Sequence, residues 1–349
     1  MTLALDTSRV AQTRARSAAR RRVVALGLLA ALAMAFALAL YLGDYPVPVE
    51  GVIQSLLSPL TGMTDRGVDF IVLQVRLPRA TLALLSGMSF ALAGITFQTL
   101  LRNPLASPDI IGIAHGASAS AVFCIIILGW TGLAVSFGAF GGAVLTALAI
   151  YLLAWRNGVT AYRVVLIGIG MAAMLAAVIS YLFTRARLSD VQQAMAWLVG
   201  SLNAARPGDI LVLAGALLVL IPAMAALLRG LDAMELGDDT ARALGARVEF
   251  TRLGLMLVAV GFAAFATAAV GPVGFVAFVS GPLARTLLKG AGRGFPQAAL
   301  VGALVMLVSD LIAQHVLPTQ LPVGVVTGAC GAVFLLWLLM ASGRSGRVN

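Results

Sequence analysis

The sequence predicts an all-α, polytopic membrane protein with about ten transmembrane helices, and three observations carry that expectation. Of its 349 residues, 60% are hydrophobic and 11% charged, whereas about a quarter of a soluble domain is charged. The mean hydropathy is +1.00. Apolar runs of about 20 residues, long enough to cross a hydrocarbon core of about 30 Å, recur from end to end. Basic residues crowd the alternate ends of those runs, which fixes an orientation. Ten spans leave only short connections, so one bundle of 23–341 is expected between a basic tail (1–22) and a short C-terminal tail (342–349).

The first run, 23–42, follows six arginines and ends at Gly43-Asp44-Tyr45-Pro46. Its length and the lack of a small-residue cleavage site suit a retained span rather than a secretory signal. Pro46, Pro48, Pro59 and Gly62 mark turns through 43–75, with one short surface helix. The second span, 80–101, is bracketed by Arg76-Leu-Pro-Arg79 and Arg102-Asn-Pro. Gly87, Ser89, Ala91, Ala93 and Gly94 keep it thin enough for close helix approach.

Spans three and four, 110–129 and 132–155, are separated by a turn at Gly129-Trp130-Thr-Gly132, where tryptophan suits the membrane interface. Spans at 162–183, 208–228, 253–270, 273–288, 297–316 and 322–340 complete the set. An even count places both termini in the cytoplasm, and three quarters of the 24 basic residues then fall on that side. Arg66, Arg76, Arg79, Arg185, Arg187 and Arg206 are the exceptions. Two cations so near the membrane on the disfavoured side, Arg76 and Arg79, point to an acidic docking partner.

The net charge of +10 is explained by these flanking arginines rather than by nucleic-acid binding. Cys124 and Cys330 sit in separate apolar runs and read as buried free thiols. His115 and His315 lack a second ligand nearby and read as packed or interfacial rather than metal-binding. The sole lysine, Lys289, precedes Gly290, so no phosphate-cradling Gly-x-x-x-x-Gly-Lys-Ser/Thr loop exists in the sequence. ATP, where used, belongs to another chain, and this chain is expected to be neither an enzyme nor a binder of a cofactor.

The longest loop on the basic side runs from Arg229 to Arg252. Asp232 and Glu235 suit the cap of one short helix ended by Gly237; Asp238 or Asp239 suits the cap of a second, ended by Gly245. Met234, Leu236, Ala243 and Leu244 would give this knob apolar faces for a partner's groove. Asp310, an acid inside an apolar span, demands a partner or a polar cavity, and Gln314 one turn later can bond it. Ser89, Thr96, Gln98 and Asp310 are the candidates for lining a path, although a span hydrophobic on all sides does not declare its facing.

The stretch 76–109, the phrase Met234–Gly245, Gly271-Pro-Val-Gly-Phe275, and Ser309-Asp310 through Gln314 followed by Leu321-Pro-Val-Gly resemble the signatures of the FecCD family. These are permeases of binding-protein-dependent ABC importers for ferric siderophores, haem and cobalamin. Ala154-Trp-Arg-Asn-Gly158 and the 234–245 loop look most like the second permease subunit of ferric-enterobactin-type importers. The resemblance implies coupling helices at about 231–248 that dock on a dimer of ATPase subunits. It also implies a second, related permease, a periplasmic or lipoprotein binding protein, and residence in a bacterial inner membrane. Two departures stand out. Ser280-Gly281-Pro282 replaces a common proline-histidine pair, and Gln314 stands where many members carry arginine. Haem or corrinoid cargo, and an ion-coupled carrier working without ATPase, are the competing expectations.

Overall fold

The computed structural model describes residues 7–62, 65–156, 160–203, 205–316 and 318–345. Among these residues every regular element is helical. In chain order they are α1 (Thr7–Tyr41), α2 (Val49–Thr61), α3 (Arg66–Asp69), a π-helical stretch (Phe70–Arg76), α4 (Leu77–Leu100), α5 (Ile113–Ile126), α6 (Leu133–Ala154) and α7 (Ala161–Arg185). There follow α8 (Leu188–Leu198), α9 (Pro207–Met234), α10 (Asp238–Ala243), α11 (Val248–Val270), α12 (Val276–Leu288), α13 (Phe295–His315) and α14 (Val323–Ser345). Among the described residues seven helical stretches are long and apolar enough to span a membrane, and shorter apolar stretches lie at α5, α12 and Val323–Leu336 of α14.

The first boundary departs from expectation. Residues 7–22 form no loose tail; they extend α1 into a rod of 35 residues, about 52 Å long. Its arginine-rich stretch is fastened to the bundle. The Arg20 guanidinium donates to the Leu287 carbonyl at 2.9 and 3.1 Å, using an orphan acceptor at the end of α12. The two outermost ends of the chain, 1–6 and 346–349 with Arg347, lie outside the described residues.

Nor does Pro78 begin the second span. The helix runs unbroken from Arg66 through it, started by Asp65, whose Oδ1 accepts from the Gly67 N–H at 3.0 Å. Pro78 has no N–H for the ladder, and just ahead of it the winding widens, with the Leu77 N–H reaching back five residues to the Val72 carbonyl.

Helix α4 is the axis of the bundle. In its most apolar stretch 78% of residues are buried, against 11% for α7. It packs on α13, α11, α12 and α9. Glycines set the closeness of these crossings: a Cβ on Gly94 would stand 1.8 Å from the Ala277 carbonyl oxygen of α12, and one on Gly87 would stand 2.4 Å from that of Gly302 on α13. Without a hydrophobic drive between helices in lipid, such backbone-to-backbone packing supplies the cohesion.

Two spans are half-length. Helix α5 has 14 residues and α12 has 13, about 20 Å each. The chain between α4 and α5 is not helical: it turns at Arg102 (φ 50°) and at Gly112 (φ 89°). There Asn103 Oδ1 accepts from the Leu105 N–H at 2.9 Å. The turn at 271–275 ahead of α12 likewise has Gly271 and Phe275 at positive φ. The Ser280-Gly281-Pro282 departure is accommodated inside α12. Gly281 leaves room for Gln98, whose Oε1 would sit 2.2 Å from an added Cβ.

Candidate functional site

The two arginines expected to meet an acidic partner are turned inward. Arg76 is 7% exposed, and its Nη1 donates to the carbonyls of Leu40 and Tyr41 at 2.8 Å, with Nη2 on Tyr45. It ties off the end of α1, where a cation complements the helix dipole. Arg79 forms a fork on Asp310, with Nε to Oδ2 at 2.9 Å and Nη2 to Oδ1 at 2.8 Å. Its Nη1 reaches Asn203 at 2.6 Å. Gln314 completes the carboxylate, donating to Oδ2 at 2.6 Å.

The Arg79–Asp310 pair thus joins α4, α13 and the loop ahead of α9. The pairing of Asp310 with Gln314 follows from spacing, whereas its main partner, Arg79, lies 231 residues away. Asp310 is therefore occupied within the chain. The exposed arginines of this face are Arg66, Arg185, Arg187 and Arg206.

The remaining path candidates are also committed internally. Ser89 Oγ donates to the Phe262 carbonyl at 2.9 Å and Thr96 Oγ1 to that of Leu92 at 2.6 Å. Gln98 bridges the Phe278 carbonyl and the Arg285 guanidinium, both at 3.0 Å. All three are at most 1% exposed, and Ser89 and Gln98 tie α4 to α11 and α12.

On the opposite, arginine-rich face the knob exists in altered form. Helix α9 runs through to Met234, so Asp232 lies inside it, Glu235 follows directly, and neither caps a separate helix. Both acids pair with Arg293, at 2.5 and 2.9 Å. Gly237 (φ 100°) turns the chain into α10, and no side chain caps that helix. Asp238 instead holds Arg252 at 2.6 Å, and Asp239 holds Arg242 at 3.0 Å. Gly245 (φ 82°) ends α10, with the Ala246 N–H on the Ala241 carbonyl at 2.9 Å, the hydrogen bond that a left-handed C-terminal glycine permits.

Met234, Ala241 and Val248 form a small core of their own beneath the knob. Leu236 and Leu244 stand 64% and 66% exposed, with Ala243 exposed beside them. Next to the knob opens a cleft of about 440 Å³ lined by Arg102, Arg156, Arg163, Arg242 and Arg252 against Glu235, Asp238 and Glu249. An apolar tip beside a net-positive cleft can seat in a groove with an acidic rim.

Arg293→Glu places three acids together. It should loosen the knob, accelerating amide exchange of residues 235–246 by up to about tenfold, equivalent to about 1.4 kcal/mol. Unchanged exchange would show that Arg293 contributes nothing to the knob's rigidity.

Cys124 is buried as expected, but Cys330 is exposed. Among the described residues no three His, Cys, Asp or Glu side chains gather as a metal site.

Comparison with known proteins is consistent along the whole bundle. The chain is 41% identical to the ferric enterobactin transport system permease protein FepG of Escherichia coli (strain K12), over 82% of this chain and 87% of that one. It is 38% identical to the achromobactin transport system permease protein CbrC of Dickeya dadantii, over 83% and 86%. With FepD, the ferric enterobactin permease of the same E. coli strain, it shares 34% identity over 94% and 98%. The fold matches a solved, inward-facing metal-chelate type ABC transporter with a TM-score of 0.81 at 23% identity, covering 92% of this chain and 99% of that one. The FecCD transport family model matches residues 31–341. The chain belongs to the FecCD transport family.

Proposed function

We propose that this chain is one permease half of an ATP-driven importer that carries a ferric siderophore, of the catecholate class, across a bacterial inner membrane. The observation that carries the reading is the chain-long similarity to ferric-chelate permeases, joined to an apolar knob on a chain that has no nucleotide-binding loop. The arginine-rich face with both termini is cytoplasmic, following the positive-inside rule. There a dimer of ATPase subunits seats the tip at Leu236, Ala243 and Leu244. A related but different permease stands opposite, and closure of the ATPases rocks the two halves to alternate access. ATP is held by the ATPase partner, and this chain binds no cofactor.

A binding protein docks on the other face. Because Arg76 braces α1 and Arg79 holds Asp310, the acid-seeking surface is formed by Arg185, Arg187 and Arg206, with Arg79 at its edge. Charge reversal at Arg185 and Arg187 should slow capture of the loaded binding protein, with a salt-dependent association rate. If binding is unchanged, that surface is misplaced.

The test of function is uptake of radiolabelled iron, supplied as ferric enterobactin or as a hydroxamate chelate, by cells lacking this gene. Loss of catecholate uptake alone, restored by the wild-type gene, is expected. Unaltered uptake of both chelates would send the assignment to haem or corrinoid cargo.

A further inference from the structure

The cleft beside the knob carries more positive charge than its own acids answer. Glu235 is taken by Arg293, which stands outside the cleft lining. Asp238 and Glu249 hold Arg252 at 2.6 and 3.1 Å, and Glu249 faces Arg242 at 3.8 Å. Among the described residues no acid pairs with Arg102 or Arg156, and both are exposed. Arg102 donates to the Met234 carbonyl. Arg163 donates to the Arg156 backbone carbonyl at 3.0 Å, which brings two cationic residues together where α6 gives way to α7. Arginines gathered in this way repel one another unless an anion stands between them.

The cleft also lies at a definite depth. Along α6 the exposed Leu152 and Leu153 are followed by exposed Trp155 and then Arg156; at the start of α7, exposed Tyr162 and half-buried Arg163 precede the exposed Leu166. Apolar, then aromatic, then cationic side chains mark the passage from hydrocarbon to headgroups. The half-buried Leu100 and Leu101 at the end of α4 line the same cleft. It therefore offers arginines and apolar wall together, and a small inorganic anion would use only the arginines.

We propose that this cleft holds the phosphodiester of an anionic phospholipid from the leaflet on the arginine-rich face. Arg102, Arg156 and Arg163 surround its non-bridging oxygens, as the planar guanidinium suits phosphate. Exposed Thr160 supplies a hydroxyl donor, and Leu100 and Leu101 meet the glycerol and first acyl carbons. The inference takes its leaflet from the orientation given above and goes beyond the transport reading, since it concerns a lipid rather than cargo.

The experiment is native mass spectrometry of the full chain in a non-ionic detergent, titrated with dioleoylphosphatidylglycerol or dioleoylphosphatidylcholine. The anionic lipid should bind more tightly. Arg156→Gln removes a side chain with no hydrogen bond or ion pair among the described residues, so the fold is kept. It should weaken phosphatidylglycerol binding about fivefold, and Arg102→Gln/Arg156→Gln about twenty-five-fold, with phosphatidylcholine binding unchanged. Arg229→Gln, at an exposed arginine of the same face outside the cleft, should change neither.

Equal affinity for the two lipids would overturn the proposal, as would equal weakening by Arg229→Gln and Arg156→Gln, which would make the effect one of general surface charge. Displacement of phosphatidylglycerol by millimolar inorganic phosphate would assign the cleft to a free anion and overturn it as well. Lipid binding is read without transport, so its failure and the failure of the permease reading are separate results.

Discussion

Gly94→Ala will abolish recovery of folded protein. The added methyl would lie 1.8 Å from the Ala277 carbonyl oxygen, 2.6 Å from its carbon and 2.9 Å from its Cα. These are backbone atoms of α12, which cannot rotate aside. That helix is pinned at the next turn by Gln98 on the Phe278 carbonyl, and it packs on α13 and α14 as well as α4. Overpacking against yielding side chains costs about 1–3 kcal/mol; separation of two central helices costs more, and removes the contacts on both sides of the axis. Gly215→Ala, where nothing lies within 4 Å, is the matched control. Size-exclusion chromatography of detergent extracts should show a monodisperse peak for the control and none for Gly94→Ala. Equal peaks would mean that α4 and α12 are not in backbone contact.

The second large effect is at Asp310. Asp310→Ala leaves the Arg79 guanidinium, 16% exposed beside an acid 3% exposed, without its counter-charge. Removing one partner of a buried pair costs about 3–5 kcal/mol, whereas replacing both with apolar residues of similar size can be near neutral. Asp310→Ala and Arg79→Leu should therefore each lower the thermal midpoint strongly, and Asp310→Leu/Arg79→Leu should recover much of the loss. Thermal unfolding in detergent across the cycle measures the coupling. Strictly additive midpoints would mean that the fork contributes nothing.

Much of this architecture is written in composition. The apolar runs and arginine spacing identify the spans, because lipid demands length and charge asymmetry of each. The half-spans are less visible: Leu105, Ala106, Ile110 and Ile111 are as apolar as helix residues, so hydropathy alone does not reveal that the chain between α4 and α5 re-enters the bundle as turns. Pro78 reads as a helix start, yet a widened turn carries the helix through it.

At the candidate site, the signals mark residues more reliably than roles. Arg76, Arg79 and Asp310 stand out as misplaced charges, and each does have a special partner, but the partners are intramolecular: three carbonyls for Arg76 and one shared fork for the other two. Asp232 and Glu235 have cap spacing, but Arg293, 58 residues from Glu235, claims them. Ser89, Thr96 and Gln98 lie on a helix surrounded on all sides, where no amphipathic face exists to read.

The most direct test of the central claim is transport by purified components. The chain would be reconstituted in liposomes with its companion permease, the ATPase dimer and the binding protein loaded with radiolabelled ferric enterobactin. Iron should accumulate only with ATP on the ATPase side, should be indifferent to ionophores that collapse proton and sodium gradients, and should fail when Leu236 and Leu244 are replaced by aspartate. Accumulation driven by an ion gradient without ATP would contradict the account and make the chain a secondary carrier.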